Sequence, residues 1–437
     1  MSNKVPIVAI VGRANVGKSS LFNAILGRRE AIVAEEAGTT RDSITAKASW
    51  EGKDFWLVDT AGLKSADDDF ELTIQEQISE AAAAADVIAV TVEADVPITE
   101  EDRRVATMAL KSQKPVILII NKVDKNTHAG LGDWQRLGIK PVVATSATQK
   151  RGIDELLDIL AQKLPKAHIK DEPDRISVAL LGRPNVGKSS LFNALAKKQQ
   201  AIVSERAGTT RDVNRTTIKY QEKTIELADT AGIRRSGKIE RGVEKFSVLR
   251  ALAAIEQSDI SLVLMDANEL NVQLDQKIAG LVKEAGKGLI LVVSKWDEAE
   301  DKDAYTRDAV APQIAANFVF VPWAPLIFTS SVTGQNVTKI YDLILAIYQA
   351  RHQRFKTPEL NQWLRRVVNE HPPAGLKGRS PKLNYIVQEE NDYPNFKVFG
   401  AHTKFLHWSY KRYMERKFRD IWPSSGTPIK FWYIEKH

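Results

Sequence analysis

One nine-residue pattern is written twice in this chain, 170 positions apart. It reads Gly12-Arg-Ala-Asn-Val-Gly17-Lys18-Ser19-Ser20 and again Gly182-Arg-Pro-Asn-Val-Gly187-Lys188-Ser189-Ser190. Each copy follows a short apolar run, Ile7 to Val11 or Val178 to Leu181, and precedes a helix-like Leu-Phe-Asn-Ala. Glycines in that setting let backbone N–H groups close around phosphate oxygens, at the positive end of the following helix. A lone match is an ordinary surface turn often enough. Two matches at one offset, each set between strand and helix patterns, mark a duplicated P-loop nucleotide-binding domain.

The duplication organises the chain. Apolar runs at Phe55–Val58, Val87–Val92, Val116–Ile120 and Val142–Thr145 alternate with helical patterns at Phe70–Ala85, Glu100–Lys111 and Ile153–Leu164. Alternation of this kind predicts an α/β fold, a parallel-rich sheet flanked by helices. The second copy repeats it, with strand candidates at Ser177–Leu181, Thr224–Leu227, Ile260–Met265, Leu289–Val293 and Leu326–Phe328. The offset holds at 170 through Asp59-Thr-Ala-Gly62 and Asp229-Thr-Ala-Gly232, then widens to 173 at Asn121/Ser294 and 184 at Ser146/Ser330. Insertions late in a domain fall in connecting segments, where they cost least. The expected division is a first domain over 1–164, a charged linker over 165–175, a second domain over 176–350 and a small α+β domain over 351–437. In the last, Thr357–Val368 and Phe405–Asp420 read as helices, and Lys382–Val387, Phe396–Phe399 and Ile429–Ile434 as strands.

Composition narrows the class. With no cysteine there are no disulfides or thiolate metal sites, and seven scattered histidines lack ligand spacing. No apolar run approaches the ~18–20 residues that span a bilayer, and no signal-peptide layout precedes the first strand. A cytoplasmic protein with no membrane partner is expected. The net charge of +7 is unevenly placed: residues 351–437 hold 17 Lys+Arg against 8 Asp+Glu, and 15 of the 32 aromatic residues. The basic character therefore belongs to the C-terminal domain.

Five elements carry chemistry, in the same order in both copies. Lys18 and Lys188 are expected to reach the β- and γ-phosphates, and Ser19 and Ser189 to offer a hydroxyl to Mg2+. Gly12, Asn15, Val16, Gly17 and Ser20, with Gly182, Asn185, Val186, Gly187 and Ser190, complete the two phosphate cradles. A shared Ala-Gly-Thr-Thr-Arg-Asp at 37–42 and 207–212 sits where P-loop hydrolases bring a threonine to the metal, giving Thr40 and Thr210. Asp59 and Asp229 are placed to hold Mg2+ through water, and Gly62 and Gly232 to offer a backbone N–H to the γ-phosphate. The catalytic candidates are thus Lys18, Thr40, Gly62, Lys188, Thr210 and Gly232.

The fourth element selects the base. In Asn121-Lys122-Val-Asp124 the carboxylate can accept guanine N1–H and N2–H, a pattern adenine lacks, so GTP and GDP are the expected ligands. The second copy reads Ser294-Lys295-Trp-Asp297: Asp297 keeps the carboxylate, while Ser294 is too short to do all that asparagine does. Last come Ser146-Ala147 and Ser330-Ser331, where a backbone N–H can meet guanine O6.

With all five elements in order, twice, the chain resembles the Der (EngA) family of bacterial tandem Era-like GTPases along nearly its full length. Particularly specific are Asp229-Thr-Ala-Gly-Ile-Arg-Arg-Ser-Gly-Lys-Ile-Glu-Arg-Gly-Val-Glu-Lys-Phe-Ser, Asp275-Gln-Lys-Ile-Ala-Gly and Gly426-Thr-Pro-Ile. The resemblance implies GTP hydrolysis, a KH-like C-terminal domain, and a role in assembling the large (50S) ribosomal subunit through its rRNA. It also implies a K+ ion beside the phosphates, held by the P-loop asparagines Asn15 and Asn185. Leu63 and Ile233 stand where Ras-type enzymes carry a water-orienting glutamine, so intrinsic hydrolysis is expected to be slow or helped another way. Departures are Ser294, Val92-Glu-Ala-Asp-Val-Pro and Val398-Phe-Gly-Ala-His402.

The C-terminal helix interleaves bases and rings. Lys411, Arg412, Arg416 and Arg419 are expected to form a cationic strip for phosphate backbones, with Phe405, Trp408 and Phe418 packed inward. Gly375-Leu-Lys-Gly378 resembles a G-x-x-G loop, or is a plain loop after Pro372-Pro373. The reading is a monomeric GTP-hydrolysing switch that binds the 50S subunit. The alternative is a GTP-controlled ribosome-binding module in which one nucleotide domain is structural and does not turn over.

Overall fold

The computed structural model describes residues 4–27, 44–60, 74–124, 133–165, 175–198, 214–229, 247–299, 306–373, 375–376 and 378–436. Thr40, Gly62, Thr210 and Gly232 lie outside them. The chain forms two compact units, one made of residues 3–169 with 241–256, the other of 170–240 with 257–437.

In the first unit β1 (Ile7–Val11) leads into α1 (Lys18–Leu26), and β2 (Thr45–Trp50) into β3 (Lys53–Asp59). Then follow α2 (Ile74–Ala84), β4 (Val87–Glu93), α3 (Glu100–Lys111), β5 (Val116–Asn121), β6 (Val142–Ala144) and α4 (Ile153–Lys163). The sheet order is β2-β3-β1-β4-β5-β6, parallel throughout except that β2 runs antiparallel to β3. Every residue of β1 and β5 is buried. That is why these strands read as unbroken apolar runs: helices cover both faces of the sheet. Helix α3 begins where Thr99 and Asp102 form a capping box that satisfies the first free N–H groups.

The second unit repeats the design. Its strands β7 (Arg175–Leu181), β8 (Asn214–Tyr220), β9 (Lys223–Asp229), β10 (Ile260–Asp266), β11 (Gly288–Ser294) and β12 (Leu326–Phe328) lie in the order β8-β9-β7-β10-β11-β12. This is the first sheet's order, element for element, with β8 again antiparallel to its neighbour. Its helices are α5 (Lys188–Lys198), α7 (Gln273–Glu284), α8 (Thr306–Asn317) and α9 (Lys339–Arg351). The helix between β9 and β10, α6 (Val248–Glu256), belongs instead to the first compact unit, against α2.

A third sheet, order β13-β14-β15, is built from Lys382–Gln388, Asn395–Ala401 and Lys430–Glu435. The first pair is antiparallel and the second parallel. Helices α10 (Thr357–Glu370) and α11 (Trp408–Ile421) pack on it through Leu360, Trp363, Leu364, Tyr410, Met414 and Phe418. The sheet joins the second domain through backbone hydrogen bonds at Gly426, which donates to Trp323 (2.7 Å) and accepts from Leu289 (2.8 Å). The fold class is the one read from the sequence: tandem α/β sheets flanked by helices and a C-terminal α+β sheet.

Candidate functional site

Each phosphate loop leaves the carboxyl end of its first strand and enters the following helix. A side chain at Gly12 would lie 2.3 Å from the Thr91 carbonyl oxygen, so only glycine lets the loop pass over β4. Gly17 has φ +90°, and a side chain there would lie 2.4 Å from Nδ2 of Asn121. Between them Asn15 and Asn185 take the left-handed conformation, φ 64° and 62°, with exposed side chains. Val16 and Val186 are buried and anchor the loops from below, while Ser20 and Ser190 are exposed in the first helical turn.

The lysine, serine and aspartate side chains of each copy converge on the loop. Lys18, 4% exposed, donates through Nζ to the carbonyls of Gly12 and Arg13, both at 2.7 Å. Lys188 does the same to Gly182 (3.0 Å) and Arg183 (2.5 Å). Ser19 Oγ donates to Asp59 at 2.5 Å, and Ser189 Oγ to Asp229 at 3.0 Å. A hydroxyl and a carboxylate at the end of the strand beside the loop form a hard-oxygen pair of the kind that suits Mg2+.

The ends of β5 and β11 meet the same loops. Asn121 is buried at the end of β5; its Nδ2 donates to Val16 O at 3.0 Å, and its Oδ1 accepts from Thr145 Oγ1 and the Ala147 N–H, both at 3.2 Å. Lys122 donates to Asn15 O (2.6 Å) and pairs with Glu93 (2.8 Å). In the second domain Ser294 Oγ lies 2.5 Å from Val186 O and 2.9 Å from Met265 O, and Lys295 pairs with Asp266 at 2.7 Å. Burial opposes ionisation of Asp266, yet Lys295 and the Asn268 N–H hold its carboxyl below the usual range. Asp124 is exposed and Asp297 half-buried, each three residues beyond its strand's last residue. Ser146 and Ser330 are fully buried in turns closed by the backbones of Arg151 and Gln335.

Sequence reading missed the arginine brace. Arg13 approaches Asp102 (3.5 Å) and Glu93 (3.6 Å). Arg183 donates to both oxygens of Asp275 (3.2 Å each) and to Glu269 (2.7 Å). These pairs tie each P-loop to the helix after the fourth strand of its domain. The available signal was an arginine after the first P-loop glycine, in both copies, matched by Asp102 and Asp275 at the widened offset of 173.

The C-terminal helix needs two corrections. Trp408 does not pack inward; it is 51% exposed and stacks under Arg412, whose guanidinium lies 4.9 Å from the ring centroid. Arg419 does not join a solvent strip. It turns back to the carbonyls of Ser424 (2.7 Å) and Thr427 (3.1 Å) and pairs with Glu415 (2.8 Å). The helix starts at Trp408, and Phe405 ends a preceding 3-10 turn, because His407 caps the Ser409 N–H. The exposed face therefore carries Trp408, Lys411, Arg412 and Arg416. Of Gly375-Leu-Lys-Gly378, Lys377 lies outside the described residues, and Gly375 is bridged to Leu406.

Comparison with known proteins agrees with this geometry. Residues 7–122 and 177–295 each match the family described as 50S ribosome-binding GTPase, and residues 354–433 match the KH-domain-like C-terminal domain of EngA bacterial GTPases. The chain is 44% identical to GTPase Der of Chloroflexus aggregans over 434 residues, 97% of this chain and 96% of that protein. It is 42% identical to GTPase Der of Herpetosiphon aurantiacus over 434 residues, covering 97% and 95%. Twin sheets that each match the GTPase family, a KH-like third domain and identity of this order over 97% of the chain establish that the chain belongs to the Der (EngA) family of GTPases.

Proposed function

We infer that this GTPase acts in assembly of the large (50S) ribosomal subunit, hydrolysing GTP to control its release from a precursor particle. The observation that carries the reading is the pairing of two assembled phosphate sites with an exposed basic and aromatic face on the KH-like domain. Its partner is rRNA: cations neutralise phosphates and an exposed ring offers a stacking surface for an unpaired base. The description of the matched GTPase family supports the same partner. The functional division is 1–164, 176–350 and 351–437, in a monomeric cytoplasmic protein. Among the described residues no helix is long and apolar enough to cross a membrane.

Within each site Lys18 and Lys188 would leave the loop carbonyls for the β- and γ-phosphates. Asp124 and Asp297 would read guanine, helped by the backbone at Ala147 and Ser331. Bound Mg2+ would neutralise phosphate charge; Ser19 with Asp59, and Ser189 with Asp229, would hold it, joined by Thr40 and Thr210. Gly62 and Gly232 would sense the γ-phosphate. Asn15 and Asn185 would hold K+ at the mouth of each loop.

Sedimentation with ribosomal subunits tests the reading. Binding to 50S particles should differ between GDP, GTP and a non-hydrolysable analogue; binding indifferent to nucleotide would remove the switch. A second reading, in which one domain holds nucleotide without turnover, is favoured by the inequality of the two copies at Asn121 and Ser294. Hydrolysis by Lys18→Ala and Lys188→Ala chains separates the two, since a structural site contributes nothing to the rate.

A further inference from the structure

The two nucleotide sites share one backbone and differ in how the base-reading end is tied to the phosphate loop. In both, the fifth strand ends in a residue whose side chain reaches the loop valine, Val16 or Val186. The surrounding backbone bonds match: Val123 N to Thr145 O (3.2 Å) is repeated by Trp296 N to Thr329 O (3.0 Å). Thr145 N to Ile120 O (2.7 Å) is repeated by Thr329 N to Val293 O (2.8 Å). The difference therefore lies in the side chains.

Asn121 is a three-way strut. Its amide donates to the P-loop, and its carbonyl takes Thr145 Oγ1 and the Ala147 N–H. Ser294 spends its one proton between Val186 O and Met265 O. Among the described residues it makes no bond to Thr329 or Ser331, and Thr329 Oγ1 turns to Val293 O (3.3 Å) instead. A second strut is missing as well. Lys122 bonds both Glu93 and the Asn15 carbonyl of the P-loop, whereas Lys295 bonds Asp266 and, among the described residues, not Asn185. The space confirms the shortfall. A side chain at Gly17 would lie 2.4 Å from the Asn121 amide, but one at Gly187 would lie 3.8 Å from its nearest neighbour, Ser294.

We propose that Ser294 makes the second site the fast-exchanging one: Ser294 holds the phosphate loop at Val186 but not the turn at Thr329 and Ser331, and Lys295 leaves Asn185 untied, so guanine nucleotide leaves this site faster than the first. A loop that must be ordered at the moment of binding takes that cost out of affinity. A missing buried hydrogen bond or two corresponds to roughly ten- to a hundredfold in dissociation rate. The asymmetry also gives the two copies separate work, one site holding its nucleotide while the other cycles. The proposal rests on guanine nucleotide occupying both sites, and not on the ribosomal role.

The test is release of a fluorescent GDP from the full chain in Mg2+, chased with unlabelled GDP and without ribosomes. Two phases are expected. Ser294→Asn should slow the fast phase about tenfold or more, towards the slow one. Asn121→Ser should quicken the slow phase by a similar factor. A fast phase unmoved by Ser294→Asn in a chain with unchanged circular dichroism overturns the proposal. So does a single wild-type phase that Asn121→Ser does not split. If the longer side chain at 294 prevents folding, Asn121→Ser decides alone: acceleration supports the proposal and no change overturns it. Because no ribosome is present, failure here leaves the 50S reading standing, and nucleotide-indifferent sedimentation would leave this proposal standing.

Discussion

The indole N–H of Trp56 donates to the carboxylate of Glu256 at 2.6 Å, 200 residues further along the chain and inside the same compact unit. Trp56 is fully buried and Glu256 is 2% exposed. The other carboxylate oxygen accepts the Val5 N–H at 3.0 Å. One side chain on α6 thus satisfies two donors at the start of the first domain's sheet. Glu256→Ala would strand both, at roughly 1–3 kcal/mol per donor. Calorimetry of the full chain should show the transition of this unit lowered. Glu256→Gln, which keeps one acceptor, should lower it less. An alanine variant with an unchanged profile would mean the pair contributes no stability.

Asp275 gives a dependence on pH. Burial pushes its carboxyl up to about 6, against the pull of the Arg183 guanidinium and with Glu269 adding to the rise. Its ordinary value is 3.8. Between these two values the folded chain keeps a proton that the unfolded chain has released. Stability contributed by this group therefore falls as pH rises from about 4 to about 6, then levels. Asp275→Asn cannot ionise and removes that slope. Urea midpoints across this range should show wild type losing ground to the variant as pH rises. The opposite slope would mean the Arg183 pair outweighs burial.

The P-loop segments were legible because the motif keeps a fixed short spacing between a strand that reads as an apolar run and the helix that follows it. Edge strands β2 and β8 were not legible. Thr45-Ala-Lys-Ala-Ser-Trp50 has no strong alternation, since an edge strand here is buried on one face in part only. Their hairpins hid too. The second turns on Gln221 and Glu222, φ 45° and 63°, with none of the Asn-Gly chemistry that marks such a turn. The inward reading of Trp408 failed for another reason. It sits in the first turn of a helix whose buried stripe is Tyr410, Met414 and Phe418, and helical spacing alone did not say where the helix begins.

The correction at Arg419 separates two kinds of loss on one helix. Arg419 holds the carbonyls of Ser424 and Thr427, buried beside the Gly426 junction with the second domain. Arg419→Ala should lower thermal stability by about 1–3 kcal/mol, while leaving the salt dependence of rRNA binding unchanged. Lys411→Ala, Arg412→Ala and Arg416→Ala should do the reverse, each reducing the slope of log affinity against log salt by about one. Trp408→Ala should weaken binding with no change of slope, because stacking releases no counterion. Filter binding at three salt concentrations distinguishes them. Affinity independent of salt would reject an electrostatic interface.

The P-loop asparagines offer the last test. Asn15 and Asn185 hold left-handed backbones with exposed side chains, while the neighbouring lysines are folded onto loop carbonyls. Leu63 and Ile233 supply no side chain able to orient water. Something else must offset the charge that develops as the terminal phosphoryl departs, and a monovalent cation beside the phosphates does so without a proton donor. GTP hydrolysis should therefore run about tenfold or more faster in KCl than in NaCl at equal ionic strength. Asn185→Ala should remove the part of that difference belonging to the second site, and Asn15→Ala the part belonging to the first. In each case nucleotide affinity should change little, because the ion acts on charge that is absent from the bound ground state. Equal rates in the two salts, or an Asn185→Ala chain as K+-responsive as wild type, would sink the assignment.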